Sequence, residues 1–271
     1  MDKTLAVIGV GNMAGAIISG IQSSDIGISE IFLYDKLTDK YSSLPRGNCK
    51  YIPCDSIWDA IDRADYVLLS VKPQNFNEVL SEISQHPRHS KKVYITIAAG
   101  ITVQTVSSAV STDSVVRVLP NIPMTIGSGV SLVCRNDNVG ADVFSFVCQM
   151  FSACGSTVVI EEEHMNRMIG VTSSSPAYVF KFIDCIYKGA IAQGLPTEGL
   201  IDAICDVFIG SAMLLKQSGE TADSLISKVA SKGGTTQKAL DSMDSANITN
   251  IIVDAMVACT NRADELGRAE K

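Results

Sequence analysis

The chain has 271 residues and a mass of 28.9 kDa, a length that predicts one large domain or two of modest size. Hydrophobic residues make up 46% of it and charged residues 19%, which is typical of a folded globular protein and argues against disorder. The formal net charge is −7, and the 22 lysines and arginines are scattered, so we expect no nucleic-acid partner.

Eight cysteines and three histidines do not form a metal-binding pattern. No C-x-x-C pair occurs and several cysteines lie among apolar residues, so we expect reduced, mostly buried thiols, no disulfide framework and no metal. The apolar-rich stretch 4–21 is broken by glycines and an asparagine and has no basic segment before it. It therefore predicts neither a signal peptide nor a membrane span, and we expect a cytoplasmic protein.

Short β-branched runs alternate with helical stretches in the first half of the chain. We predict strands at Thr4–Val10, Glu30–Asp35, Asp65–Val71, Lys92–Ala99, Ser114–Leu119, Ser128–Cys134 and Ser156–Glu161. We predict helices at Met13–Ser23, Gln74–Ser84, Val103–Val110 and Val139–Ala153. Strands such as 66-YVLL-69 are continuously apolar, which indicates a sheet covered on both faces. The pattern predicts an α/β fold with a Rossmann-like, doubly wound and mostly parallel sheet.

Helical periodicity dominates after Glu163, with no further strand predicted. The predicted helices are Met165–Gln193 (kinked near Pro176), Glu198–Gln217, Ala222–Ala230, Thr236–Met243 and Thr249–Glu265. We therefore expect a Rossmann-like domain at 1–163 and an all-helical domain at 164–271. These helices carry wide apolar faces. So much apolar surface on about a hundred residues predicts burial against a second copy, that is, a dimerisation domain.

The segment 7-VIGVGNMAGAI-17 contains Gly9, Gly11 and Ala14 in G-x-G-x-x-A spacing. It follows the first predicted strand and begins a helix, which is the context of a dinucleotide site. Gly9 permits a tight turn, Gly11 lets the backbone approach a pyrophosphate, and the amides of Asn12 and Met13 face the anion. The alternative is a glycine turn that binds no ligand.

Asp35 ends the second predicted strand, where dinucleotide folds place an acid that hydrogen-bonds the adenosine ribose. This carboxylate favours NAD(H), because it repels a 2′-phosphate. The neighbouring Lys36 favours NADP(H), because it can pair with that phosphate. The sequence leaves both cofactors as alternatives.

Further candidates follow the carboxyl ends of later strands, where ligands bind in parallel sheets. In 70-SVKPQ-74, a proline-fixed turn predicts that Lys72 and Pro73 contact the cofactor. In 117-RVLPNIP-123, two prolines surround Asn121, whose amide is a further candidate for the cofactor site. Arg117 is equally compatible with a structural ion pair and with a ligand contact.

The segment 231-SKGGTTQKAL-240 places two glycines and two threonines at a helix start. Free amides and the helix dipole make this pattern suited to an anion such as a carboxylate. The alternative is an ordinary helix start with Thr235 or Thr236 as the N-cap.

The motifs GVGNMAGAI, SVKPQ, AAGI, RVLPNIP, GVTSSSPAYVF and SKGGTTQKAL, in this order, resemble the pyrroline-5-carboxylate reductase family over essentially the whole chain. The resemblance implies a Rossmann-like domain followed by a helical dimerisation domain, with homodimers that often assemble into decamers. It also implies hydride transfer from NAD(P)H to 1-pyrroline-5-carboxylate, which gives L-proline in the last step of proline biosynthesis.

The resemblance also implies residue roles by position. Cofactor contacts are implied for Gly9, Val10, Gly11, Asn12, Met13, Val71, Lys72 and Ala99. Substrate contacts are implied for Glu162, Ser174, Ser175, Gly233, Gly234, Thr235 and Thr236. Thr236 is the implied catalytic residue, because it would hydrogen-bond the ring nitrogen. Two positions depart from the family: Ser173 stands in place of a glycine and Lys232 in place of a proline.

Two other functions are compatible with the two-domain plan. One is a β-hydroxyacid-type or other imine dehydrogenase, and the second is a dinucleotide-sensing protein without enzymatic activity.

Overall fold

The computed structural model describes residues 2–269, with side chains as far as Glu265. Its eight strands are β1 (Lys3–Ile8), β2 (Ile28–Tyr34), β3 (Lys50–Pro53), β4 (Tyr66–Leu69), β5 (Val93–Thr96), β6 (Val115–Leu119), β7 (Gly129–Arg135) and β8 (Gly155–Val159). They form one sheet in the order β3-β2-β1-β4-β5-β6-β7-β8. Every neighbouring pair is parallel except β6 and β7, which confirms the predicted mostly parallel sheet.

Helices cover both faces of the sheet. Those of the α/β part are α1 (Asn12–Gln22), α2 (Ile57–Arg63), α3 (Phe76–Ser84), α4 (Val103–Val110), α5 (Ala141–Ser152) and α6 (Glu162–Met168). Short 3₁₀ helices span Thr38–Ser43, Pro73–Asn75, His89–Lys91 and Ile122–Ile126. In β1, Ala6 and Ile8 join one buried cluster together with residues of α2, α3 and α4. Leu5 and Val7 join the other, with α1 and α5. Strand alternation thus sends successive side chains into two cores.

The remaining helices are α7 (Ser175–Ala192), α8 (Leu200–Ser218), α9 (Ala222–Val229), α10 (Thr235–Ser245) and α11 (Ile248–Ala269). A π-helical turn at Ile169–Ser173 precedes α7. It separates α6 from α7 just before Pro176, where the sequence predicts a kink. Ser174 N–H donates to the Ile169 carbonyl oxygen at 2.8 Å, which is the wide spacing that makes this turn π-helical.

Two elements were not predicted, namely β3 and α2. β3 is a four-residue edge strand that ends in Pro53, which an edge position tolerates because no further strand needs its N–H. α2 has seven residues and begins at an N-cap, Ser56, whose hydroxyl accepts a hydrogen bond from Asp59 N at 3.1 Å. Both elements are too short for periodicity to reveal them.

The described chain forms two compact units. The first comprises the residues up to Pro176 together with the segment that begins at Ala258, and the second is Ala177–Val257. The predicted domains at 1–163 and 164–271 differ from these units in where the boundary lies and in the C-terminal segment. That segment belongs to the first unit because Ala263 of α11 is buried in one of its two cores.

The second unit is helical and buries few apolar side chains. Among its described residues, the buried apolar ones are Ala190 and Ile204. Large exposed apolar side chains are spread over its helices, including Phe180, Val207, Ile209, Leu214, Val229 and Ile251. No helix within residues 2–269 combines the length and apolar character needed to cross a membrane.

Candidate functional site

The turn between β1 and α1 has the geometry of an anion site. Gly9 has φ +91°, and a Cβ there would lie 2.9 Å from Val71 Cγ1, so the turn requires glycine. Gly11 has an ordinary extended conformation (φ −88°, ψ −174°), yet a Cβ there would meet no protein atom within 4 Å. As the N-cap of α1 it makes no side-chain cap hydrogen bond, and the first turn carries no acid. Open space therefore faces the helix N-terminus, and a pyrophosphate fits this arrangement.

A cleft of about 380 Å³ lies over the carboxyl ends of β1, β2 and β4. Its lining includes Gly9, Gly11, Asp35, Lys36, Val71 and Lys72. A cavity of about 170 Å³ also adjoins the glycine turn and is lined by Val10, Asn12 and Lys40, among others. Most of the predicted cofactor residues thus lie around one turn at the switch point of the sheet, where β1 adjoins both β2 and β4.

A third cavity, of about 270 Å³, continues the cleft towards β5 and β6, and Ser70, Val71 and Lys72 line both. Its lining is Met13, Ser70, Val71, Lys72, Pro73, Ile97, Ala98, Ala99, Leu119, Pro120, Ile169 and Ser173. We call it the inner cavity. Predicted strands extended over 70–71 and 97–99, but pairing in the sheet ends at Leu69 and Thr96. The residues that follow line the cavity.

Asp35 lies in the cleft, and its carboxylate bonds to the backbone of the turn. One oxygen accepts from Val10 N at 2.6 Å and the other from Leu37 N at 2.9 Å. Lys40 Nζ lies 3.8 Å from the same carboxylate. Tyr41, whose pKa is raised by burial, accepts from Asp35 N at 2.7 Å through its phenol oxygen. Asp35 therefore holds the glycine turn against β2 and presents negative charge to the cleft.

Lys36 makes an exposed ion pair with Glu78, with 2.9 Å between Nζ and Oε1. This hydrogen bond raises the pKa of Lys36. The lysine that favours a 2′-phosphate is thus already partnered by an acid of α3.

Asn121 is buried, and both polar atoms of its amide bond to the backbone. Its Nδ2 donates to the Thr172 carbonyl oxygen at 3.1 Å, and its Oδ1 accepts from Val130 N at 2.8 Å. It ties the loop after β6 to β7 and to the π-helical turn. A direct cofactor contact of Asn121 stays a prediction, and the geometry favours a role in positioning that loop.

Glu162 and Arg117 form an ion pair within the first unit. Arg117 is 1% exposed, and its Nη1 lies 3.2 Å from Glu162 Oε1. The same oxygen accepts from Val103 N at 2.7 Å and so caps the N-terminus of α4. Of the two roles open for Arg117 in the sequence, the structure shows the ion pair.

The network extends to two residues that sequence reasoning missed. Arg117 Nη2 donates to Asn166 Oδ1 at 2.7 Å, and Asn166 Nδ2 donates to Asp264 Oδ1 at 2.8 Å. The spacing of Glu162 and Asn166, four residues apart in one helix, was the available signal that both face the same partner. No comparable sequence pattern indicates that Asp264 joins this network.

Ser174 and Ser175 follow the π-helical turn. Ser174 Oγ lies 3.3 Å from Cys259 Sγ, and Ser175 Oγ donates to the Val171 carbonyl oxygen at 2.7 Å. The structure thus shows a distorted helix start at the predicted kink. Such π-helical turns are frequent at functional sites.

The segment 231-SKGGTT-236 lies in the second unit. Gly233 has φ +75°, and Gly234 is the N-cap of α10, with no side-chain cap hydrogen bond. The alternative that Thr235 or Thr236 is the N-cap is therefore wrong, because both lie inside the helix. Thr236 is half-buried. Lys232 is exposed.

The predicted substrate residues are divided between the two units. Glu162, Ser174 and Ser175 belong to the first unit, whereas Gly233, Gly234, Thr235 and Thr236 belong to the second. Their assembly into one substrate pocket stays a prediction.

Two family descriptions match different parts of the chain. Residues 162–266 match the family described as "Pyrroline-5-carboxylate reductase dimerisation". Residues 4–100 match the one described as "NADP oxidoreductase coenzyme F420-dependent".

Similar proteins match over nearly the full length. A pyrroline-5-carboxylate reductase of Escherichia coli (strain K12) is 30% identical over 99% of this chain and 100% of its own. A solved 1-pyrroline-5-carboxylate reductase of Streptococcus pyogenes is 26% identical, with a TM-score of 0.86 over 97% of this chain and 99% of its own. A Plasmodium falciparum pyrroline carboxylate reductase with NADP bound has the same fold, with a TM-score of 0.86, 24% identity and 98% of both chains covered. The chain therefore belongs to the pyrroline-5-carboxylate reductase family.

Proposed function

We propose that this protein reduces 1-pyrroline-5-carboxylate to L-proline with NADPH or NADH, as the last step of proline biosynthesis. The observation that carries the proposal is the full-length similarity to the E. coli reductase. The open N-terminus of α1 above the glycine turn supports nicotinamide dinucleotide binding.

Both proposed ligands are recognised by helix N-termini. The amides of Asn12 and Met13 bind the pyrophosphate, while Asp35, Lys36 and Lys40 surround the adenosine end. In the second unit, the amides that follow Gly233 and Gly234 bind the substrate carboxylate, because α10 begins there without a side-chain cap. Each such charge-assisted hydrogen bond contributes roughly 1.5–3 kcal/mol.

The proposed reaction requires little acid–base catalysis by the protein. NADPH or NADH, when bound, would supply the hydride that adds to C5 of the imine. The C=N electron pair moves to the ring nitrogen, so a substrate that arrives with a protonated imine leaves as the amine without a strong catalytic acid. Thr236 Oγ1 accepts a hydrogen bond from this N–H and fixes the ring. Most of the rate enhancement then comes from holding the cofactor and the imine in position, which can lower the activation free energy by about 7–11 kcal/mol.

Apolar residues of the inner cavity provide a dry surface for the nicotinamide ring. Ala98, Ala99, Leu119 and Pro120 line it, and Ala98 and Leu119 are buried. Val71 and Lys72 lie at its junction with the cleft, and Pro73 lines the inner cavity. Exclusion of water here protects the hydride and strengthens nearby electrostatic interactions.

A steady-state assay with both cofactors tests the proposed reaction. We expect the purified protein to oxidise NADPH or NADH only when 1-pyrroline-5-carboxylate is present, with formation of L-proline. The Asp35 carboxylate and the Lys36–Glu78 pair oppose a 2′-phosphate, whereas Lys40 favours it. The ratio of kcat/KM with NADPH to kcat/KM with NADH therefore measures which of these opposing effects is larger. Absence of turnover with either cofactor would exclude the proposed function.

Replacement of Thr236 by alanine tests its catalytic role. We expect kcat/KM to fall by about tenfold or more, because the ring nitrogen loses its hydrogen-bond partner, while cofactor affinity is unchanged. Thr236→Ser keeps the hydroxyl and is the matched control, expected to retain most of the activity. Wild-type kinetics in Thr236→Ala would leave this threonine with only a structural role in α10.

We also propose a homodimer formed by the helical part of the chain, with assembly of dimers into a decamer as the larger form. The exposed apolar side chains of the second unit and the match to a dimerisation family support the dimer. The proposed domains are 1–163 for the dinucleotide and 164–271 for dimerisation and substrate. We propose a cytoplasmic location, with no nucleic-acid or membrane partner.

A further inference from the structure

Four consecutive residues, 172–175, carry hydroxyl side chains where the π-helical turn leads into α7. Three of them have partners: Thr172 Oγ1 donates to Met168 O at 3.1 Å, Ser174 Oγ lies 3.3 Å from Cys259 Sγ, and Ser175 Oγ donates to Val171 O at 2.7 Å. Ser173 Oγ is buried, and it has no hydrogen-bond partner among the described residues. A buried hydroxyl without a partner is rare, because it has lost its bonds to water.

Ser173 does not make the backbone hydrogen bond that Thr172 and Ser175 make. A serine in a helix commonly donates to the carbonyl four residues before it, as Thr172 and Ser175 do here. For Ser173 this is the carbonyl of Ile169, which accepts Ser174 N–H at 2.8 Å in the π-helical turn and makes no hydrogen bond with Ser173 Oγ. The donor and the acceptor of this hydroxyl are therefore unused among the described residues.

Ser173 lines the inner cavity, whose walls are mostly apolar. Two other polar side chains line it, those of Ser70 and Lys72. Ser70 Oγ donates a hydrogen bond to the Ile8 carbonyl oxygen at 3.2 Å, and Lys72 carries a charge. Ser173 thus contributes a neutral side-chain hydroxyl without a partner to the lining of this cavity.

A flat ring with one amide substituent suits a cavity of this kind. The apolar walls accommodate the ring, and a primary carboxamide needs both a donor and an acceptor, which a single hydroxyl provides. The cavity shares Ser70, Val71 and Lys72 with the cleft beside Gly11. One dinucleotide can therefore place its pyrophosphate at α1 and its nicotinamide in the inner cavity.

We propose that Ser173 binds the carboxamide of the nicotinamide ring and so orients the ring for hydride transfer. This rests on the proposed function, since it requires an NAD(P)H site. It assigns a binding role to a serine that stands where the family has a glycine.

Binding measurements without substrate test this assignment. The ligands are NADPH and 2′-phospho-ADP-ribose, which is the same molecule without nicotinamide, or NADH and ADP-ribose if NADH binds more tightly to the wild type. By isothermal titration calorimetry we expect Ser173→Ala to lower the affinity for the reduced cofactor about threefold to tenfold. This is the range for the loss of one hydrogen bond. Affinity for the nicotinamide-free ligand should not change.

Thr172→Val is the matched control, because it removes the neighbouring hydroxyl, which is already bonded inside the turn. It should leave both affinities unchanged. Ser173→Gly serves as a second variant if Ser173→Ala shows an altered circular dichroism spectrum.

The outcomes separate the inference from the proposed function. The assignment of Ser173 would be overturned if Ser173→Ala bound the reduced cofactor with wild-type affinity. It would also be overturned if the variant lost the same factor in affinity for both ligands. A wild-type protein that binds neither NADPH nor NADH would refute the proposed function itself.

Discussion

Replacement of Gly11 by valine is expected to abolish cofactor binding and leave the fold intact. The backbone at Gly11 is extended, a conformation that valine adopts readily, and a Cβ there meets no protein atom within 4 Å. The valine side chain would instead project into the space in front of α1, where we place the pyrophosphate. We expect affinity for NADPH or NADH to fall by about 100-fold or more, a loss of roughly 3 kcal/mol.

Gly140→Val is a closely matched control for this variant. Gly140 is also the N-cap of a helix, α5, and a Cβ there also meets nothing within 4 Å. Its valine variant should bind the cofactor with wild-type affinity by calorimetry. Tight binding by Gly11→Val would show that the pyrophosphate lies elsewhere, and thermal unfolding would reveal whether a loss of binding came from misfolding instead.

Replacement of Glu162 by leucine is expected to destabilise the first unit by about 3–5 kcal/mol. Arg117 is 1% exposed, so loss of its anion leaves a buried guanidinium without a countercharge. The N-terminus of α4 also loses the acceptor of Val103 N. The opposite change, Arg117→Met, should cost less, because Glu162 is 33% exposed and can be rehydrated.

Urea unfolding followed by Trp58 emission measures this effect, because Trp58 is the one tryptophan of the chain and lies in α2 of the first unit. Glu163→Leu is the matched control, since this neighbouring glutamate is 77% exposed and should change stability by less than about 0.5 kcal/mol. The double variant Arg117→Met with Glu162→Leu should recover part of the loss, because no buried charge remains. Equal stability of Glu162→Leu and Glu163→Leu would contradict the buried-charge argument.

Sequence periodicity predicted most elements, and its errors have two causes. The helix Val103–Val110 was predicted with the bounds that the structure shows. Strands were predicted too long at 70–71 and 97–99, because apolar residues that line a cavity have the same composition as apolar residues inside a sheet. β3 and α2 were missed because each is short and stabilised by its neighbours rather than by its own pattern.

The sequence by itself determined features that depend on local geometry. The spacing of Gly9 and Gly11 after a strand predicts the turn, because a positive φ and an unobstructed helix N-terminus are set within a few residues. Family motifs in order determined the family and the reaction class. Apolar helix faces indicated that the helical part needs a second copy.

Only the tertiary structure decided which partner each polar side chain has. Asp35 holds the glycine turn, Asn121 bonds to two backbone segments, and Arg117 is paired with Glu162. The hydroxyl of Ser173 has no partner among the described residues, although its neighbours in sequence do. These outcomes depend on atoms that are distant in sequence and that packing brings to within about 3 Å of each other. The spacing of residues along the chain does not predict such distances.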